Sequence, residues 1–138
     1  MRDAGRAARA GATAAALWQA LDPVLKRTFG TPYSDAELTS AFVTRGRLQP
    51  LVGFLLHSST GAAFGLAFAR LGGRGRRQAV LAALAENAAL WPAMAIVDRV
   101  HPARRDGTWP PLLANPRVFA QSCAGHAVFG LVLGTLYR

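Results

Sequence analysis

One cysteine cannot cross-link a chain to itself. Cys123 stands alone in 138 residues, which excludes an internal disulfide framework and a paired-thiol metal site. It reads as a small apolar residue inside a helix. Lysine is nearly as scarce: Lys26 is the single lysine among 16 basic residues, and the rest are arginine. Charge as a whole is sparse, at 17% of residues, against 51% hydrophobic. Catalytic signatures are missing as well. Ser58, Ser59 and Ser122 lie in no G-x-S-x-G context, no pair of catalytic carboxylates is evident, and the glycines form no phosphate-cradling loop. No enzymatic activity, cofactor or metal is therefore expected.

What is abundant is positive charge and oil. The net charge is +9, with a pI near 11.6 and a positive mean hydropathy of +0.20. Such a pI points first to nucleic acid. The arginines, however, do not line one helix face. They fall in short runs (Arg45 and Arg47; Arg70, Arg74, Arg76 and Arg77; Arg99, Arg104 and Arg105) between apolar segments. A multipass membrane protein places its cations this way, since a guanidinium is costly in hydrocarbon and welcome at the headgroups. "GGRGRR" (72–77) has the look of an RNA-binding tract. It is a single copy without nearby aromatics and reads as a tight basic turn. The expected partner is a lipid bilayer, not nucleic acid.

Three segments are long enough to cross about 30 Å of hydrocarbon with about 20 residues each: 49–71, 78–97 and 118–137. Arginine closes both ends of each. A fourth, 7–25, is marginal. Its alanine-rich centre lacks separate polar and apolar faces, which favours spanning over lying in the interface. The first residues look like a signal peptide, but large Leu17 and Trp18 occupy the place of a small-residue cleavage site, so the expectation is a retained helix. An organellar transit peptide is the minor alternative. Ser34 precedes Glu37 by three residues, the pattern of a capping box, and predicts a short helix at the membrane surface. "HPARRDGTWPPLLANP" holds too many prolines for a regular helix and reads as a surface-hugging loop with Trp109 at headgroup level. The predicted fold class is thus an all-α, four-helix transmembrane bundle forming one domain over residues 1–138. Four spans would put eight basic residues on each side; the dense 70–77 turn tilts the orientation towards cytoplasmic termini.

A shift of 69 residues lays Pro23 on Pro92, Gly53 on Ser122, His57 on His126, Gly61 on Gly130 and Gly65 on Gly134. This suggests a two-helix hairpin used twice. A competing shift of 65 aligns the two "FGL" triplets at 64–66 and 129–131. Stepping by four along the second and fourth spans gives two stripes, Gly53-His57-Gly61-Gly65 and Ser122-His126-Gly130-Gly134. Stripes of small residues let membrane helices approach closely. Packing inside the chain is the first use expected of them, and a homo-oligomer seam the second.

Each stripe carries a histidine near mid-span, and Glu86 is the one carboxylate well inside a span, with Asn87 beside it. An isolated charge at that depth costs roughly 3 kcal/mol or more. The candidate buried polar cluster is therefore His57, Glu86, Asn87, Gln121 and His126, with Glu86 bonded to one or both imidazoles and the Ser58-Ser59-Thr60 run supplying further groups. A satisfied structural network is one reading and a proton or cation pathway another. Zinc ligation by His57, His126 and Glu86 and axial haem ligation by the two histidines are lesser readings, and haem fits least, because it needs helices held apart while glycine stripes draw them together.

"TPYSDAELTSAFVTRG", "LHSSTGAAFGLAFARL", "ENAALWPAMAIVDRVHP" and "AGHAVFGLVLGTLYR" together resemble a group of small, uncharacterised actinobacterial membrane proteins. More loosely they are similar to YagU-type bacterial inner-membrane proteins, which share a histidine-bearing span, a proline-rich linker and a closing "GH" helix. The first helix fits the YagU pattern least. The resemblance implies a multi-pass protein of the plasma membrane and, for the looser relatives, a link to acid tolerance; it carries over no site residues. The function expected from the sequence is a structural or accessory membrane role, with a small proton- or cation-handling transporter component as the alternative.

Overall fold

A computed structural model of the chain describes residues 2–138. Its elements are α1 (Arg2–Phe29), α2 (Asp35–Ser40), α3 (Gln49–Arg70), α4 (Gly75–Leu90), a 3-10 turn (Trp91–Ala93), α5 (Met94–Val100), α6 (Pro102–Arg105) and α7 (Pro116–Leu136). No strand occurs among the described residues. Three stretches are long and apolar enough to cross a membrane: Gln49–Arg70, Gly75–Val100 and Pro116–Leu136. The first helix is longer at both ends than the expected 7–25, running from Arg2 to Phe29, and the expected 78–97 helix is interrupted. Pro92 has no N–H to continue the α-helical ladder, and the chain tightens there into the 3-10 turn before α5 resumes.

The interfaces between the long helices are rich in small residues, and many large apolar side chains point outward. Ala7, Ala10, Ala14 and Ala15 of α1 and Ala79 and Ala83 of α4 are buried, whereas Leu17, Leu55, Leu81 and Leu131 are 47–56% exposed. A core sorted by water would place the leucines inside. Close approach of backbones through small residues, with bulky apolar side chains turned outward, is the arrangement that lipid favours.

The close approach is literal. A Cβ on Gly61 would stand 2.6 Å from the Ala15 Cβ and from the Gly11 carbonyl oxygen, and one on Gly65 would strike the Ala7 carbonyl. On the other side of the bundle, a Cβ on Gly130 would meet the Val80 Cα at 2.5 Å, and one on Gly134 the Arg76 Cα at 2.5 Å. The same offset of 69 converts Gly11–Gly61 into Val80–Gly130 and Ala7–Gly65 into Arg76–Gly134. The α1–α3 pair and the α4–α7 pair are thus two copies of one hairpin contact. The register of 65 reproduces neither pairing.

The two hairpins meet unevenly. α1 lies along α7 as well as α3, while the symmetry-equivalent neighbours α3 and α4 make at most marginal contact. The reason is local: Trp18 of α1 seats its ring on Gly125 of α7, where a Cβ would collide with it. The equivalent pair is Asn87 and Leu56, which offers no ring and no glycine. One seam is closed and its twin is open.

The ends are held by ordinary local chemistry. Asn115 accepts from the N–H groups of Arg117 and Val118 at 3.0 and 3.3 Å to start α7, with Pro116 in the first helical position, where its missing N–H costs nothing. Ser34 caps α2 by accepting from Glu37 N at 3.4 Å. The Glu37 side chain does not complete the capping box; it pairs with Lys26 at 2.9 Å. Beyond α5, Asp98 accepts from Leu112 N at 2.8 Å and Leu113 N at 3.0 Å, and pairs with Arg104 at 2.9 Å. That anchor folds the proline-rich segment back on the bundle. Trp109 is consequently buried, stacked on His101 at 4.5 Å, which corrects its expected place among headgroups.

Candidate functional site

The open seam is a cleft of about 200 Å³. α3 supplies His57, Thr60 and Phe64; α4 supplies Glu86 and Asn87; α7 supplies Ser122, His126 and Phe129; Trp18 of α1 forms its back. Tyr33 and Asp35 close one end, brought there because α2 packs on α3, with Gly53 admitting the Ala36 carbonyl and the Ser40 hydroxyl.

Glu86 and His126 are joined at 3.1 Å, Oε2 to Nε2. The other ring nitrogen, Nδ1, lies 2.8 Å from the Ser122 carbonyl oxygen. A carbonyl only accepts, so Nδ1 carries a hydrogen. A proton must then sit between Nε2 and Oε2 for the second contact to be attractive, whichever atom holds it. The pair is a one-proton unit. His126 is 12% exposed while Glu86 is 40% exposed, so the carboxylate keeps a face towards the cleft instead of being buried, as its depth in the helix suggested.

Asn87 is buried and ties α4 to α7. It accepts from the Ser122 hydroxyl at 2.9 Å and donates to Cys123 Sγ at 3.3 Å. His57 does not join Glu86 among the described hydrogen bonds. The Trp18 ring stands edge-on to both imidazoles, 4.8 Å from His57 and 4.7 Å from His126, and keeps them apart. Gln121 lies outside the cluster: it accepts from Thr31 Oγ1 and donates to the Tyr33 carbonyl at 2.8 Å, fixing the segment that leads into α2. Ser59 and Thr60 spend their hydroxyls on their own helix, at Leu55 O and His57 O. Of the five candidate cluster residues, Glu86 and His126 pair with each other, Asn87 bonds Ser122 and Cys123, His57 lines the cleft without bonding Glu86, and Gln121 faces the Thr31–Tyr33 segment. The six stripe residues Gly53, Gly61, Gly65, Ser122, Gly130 and Gly134 are all buried within the chain, so their surfaces are occupied by intrachain packing.

Trp18, Tyr33 and Asp35 went unnoticed in the sequence. The 69-residue offset lays Trp18 on Asn87, a signal that could have brought Trp18 in. Asp35 lies in the first turn of α2. It accepts from the Tyr33 hydroxyl at 2.9 Å, and burial pushes its carboxyl up to about 6, with His126 and the Tyr33 bond pulling the other way. A carboxyl whose folded pKa exceeds its ordinary 3.8 favours folding in acid. That contribution is complete below about 3.8 and is lost as pH rises to about 6, in all at most ~3 kcal/mol. Asp35→Asn is expected to flatten the decline in stability across pH 4 to 6, read from denaturation midpoints in detergent; an unaltered decline would assign it elsewhere.

Among the described residues no three His, Cys, Asp or Glu side chains are grouped to hold a metal ion. Compared with protein-family models, curated proteins and solved structures, the chain matches none of them. The cleft is therefore read from its own chemistry.

Proposed function

We propose that the chain is a multi-pass, non-enzymatic protein of the bacterial plasma membrane that takes up a proton or cation in the cleft between α3 and α4. Three apolar helices, small residues at the helix interfaces and outward leucines support the membrane setting, and the resemblance to YagU-type inner-membrane proteins agrees with it. α1 runs beside α3 from Ala7 to Trp18 and would be the fourth crossing. One observation carries the functional part: the Glu86–His126 pair, held at 3.1 Å with its far nitrogen committed to Ser122 O. Carboxylate–imidazole pairs at membrane depth are the parts from which proton relays are made.

A structural or accessory role is the second reading. It is favoured by Asn87, whose bonds to Ser122 and Cys123 fasten α4 to α7 without needing any ligand. Liposomes containing the purified chain separate the two. Wild type should move protons down an imposed gradient, and Glu86→Gln should reduce that flux to the level of empty vesicles. Equal flux in both, or none in wild type, leaves only the structural role. Carbonate washing of cell membranes checks the setting: the chain should stay with the pellet.

A further inference from the structure

The lining of the cleft limits what it can hold. It contains two carboxylates, Asp35 and Glu86, and neither a lysine nor an arginine, although the chain carries 16 such residues. An anion entering would find no fixed cation; the other polar groups there are the imidazoles of His57 and His126 and the side chains of Thr60, Asn87 and Ser122. A bare metal ion would find no group of three ligands among the described residues. Five aromatic rings also line it: Trp18, Tyr33, Phe64, Trp91 and Phe129 surround the same space. Aromatic faces attract cations and also cover apolar carbon. Drug-sized sites enclose roughly 300–1,000 Å³, so a cleft of about 200 Å³ suits a smaller body.

We infer that the cleft binds a small organic monocation, a primary or quaternary amine carrying a single ring or short branched chain, with its charge on Glu86 and its apolar part against Trp18 and Phe64. This names the substrate class for the cation-handling reading above and rests on it. Each carboxylate has one oxygen already engaged, Asp35 by the Tyr33 hydroxyl and Glu86 by His126, which leaves the other oxygen of each for the ligand. Glu86 is the more exposed contact. The open α3–α4 seam supplies the path: a ligand partitioned into the apolar phase reaches the carboxylate without crossing a packed interface.

The test uses the full chain in detergent micelles and two probes of nearly equal shape, 2-phenylethylammonium and neutral 2-phenylethanol. Binding is followed by tryptophan fluorescence, since Trp18 and Trp91 both face the cleft. The amine should bind saturably and the alcohol about tenfold or more weakly, as losing a charged hydrogen bond implies. Glu86→Gln should bring the amine down to the level of the alcohol. Equal affinity for the two probes in wild type overturns the inference in favour of a neutral apolar site, whatever becomes of the variant. No saturable amine binding overturns it too, as does amine affinity indifferent to both Glu86→Gln and Asp35→Asn. Proton flux measured without amine keeps the outcomes distinct. Flux that persists when no amine binds removes the substrate class and leaves the proton-handling reading standing.

Discussion

Gly61→Leu is expected to force α1 and α3 apart and to destabilise the bundle by ~3 kcal/mol, the upper part of the range for overpacking. The obstacle is backbone, not a side chain that can swing away. A first carbon at position 61 already meets the Gly11 carbonyl and the Ala15 Cβ at 2.6 Å, and leucine adds three more. Gly130→Leu should act alike on the other hairpin, against the main chain of Val80. In an unobstructed helix the same exchange would gain up to about 1 kcal/mol in propensity, so the sign of the effect is diagnostic. Gly5 supplies the control, because nothing lies within 4 Å of a Cβ there; Gly5→Leu should be neutral or slightly stabilising. Thermal melts in detergent should show midpoints lowered by on the order of 10 °C at positions 61 and 130. Silent substitutions at both would remove the close-packed stripes from the account.

Trp18→Ala should cost ~3–5 kcal/mol, the usual toll for deleting a buried indole, and should do more than loosen the core. The ring fills the notch at Gly125 and separates His57 from His126. Without it the closed α1–α7 seam resembles the open one, and the two imidazoles lose their spacer. Unfolding by denaturant gives the energy. Two-dimensional NMR of the histidine side chains gives the local effect: the resonances of both rings should shift in Trp18→Ala, while His101, stacked on Trp109 at 4.5 Å, should stay in place. A stable variant with unmoved His57 and His126 signals would contradict the role given to Trp18.

These two residues also mark where the sequence is readable and where it is not. Spans were legible because length and hydropathy are properties of one segment, and the Ser34 cap because it spans three residues. Depth along a helix was legible too, and brought Glu86, Asn87 and His126 to one level. Neighbour choice was not. Gln121 stands five residues before His126, about 140° round α7 from it, and faces the Thr31–Tyr33 segment, a partner no local pattern encodes. The stripe on α3 was visible, but its partner surface of Ala7, Gly11 and Ala15 was hidden in a helix that looked alanine-rich on every side. Asp35 was out of view for another reason: it enters the cleft from a separate short helix, and only the packing of α2 over Gly53 puts it there. Pro92 was counted inside a continuous span because hydropathy does not register a missing N–H.

Many large apolar side chains point outward from helix interfaces rich in alanine and glycine, which the proposed membrane setting would place in lipid. Spin labels attached singly at positions 55, 81 and 131, with Cys123 replaced and the chain in liposomes, test this most directly by power saturation. The labels should be relaxed strongly by oxygen, which concentrates in hydrocarbon, and weakly by a water-soluble nickel chelate. The opposite ranking at all three positions would place those leucine sites in water and contradict the membrane-embedded bundle.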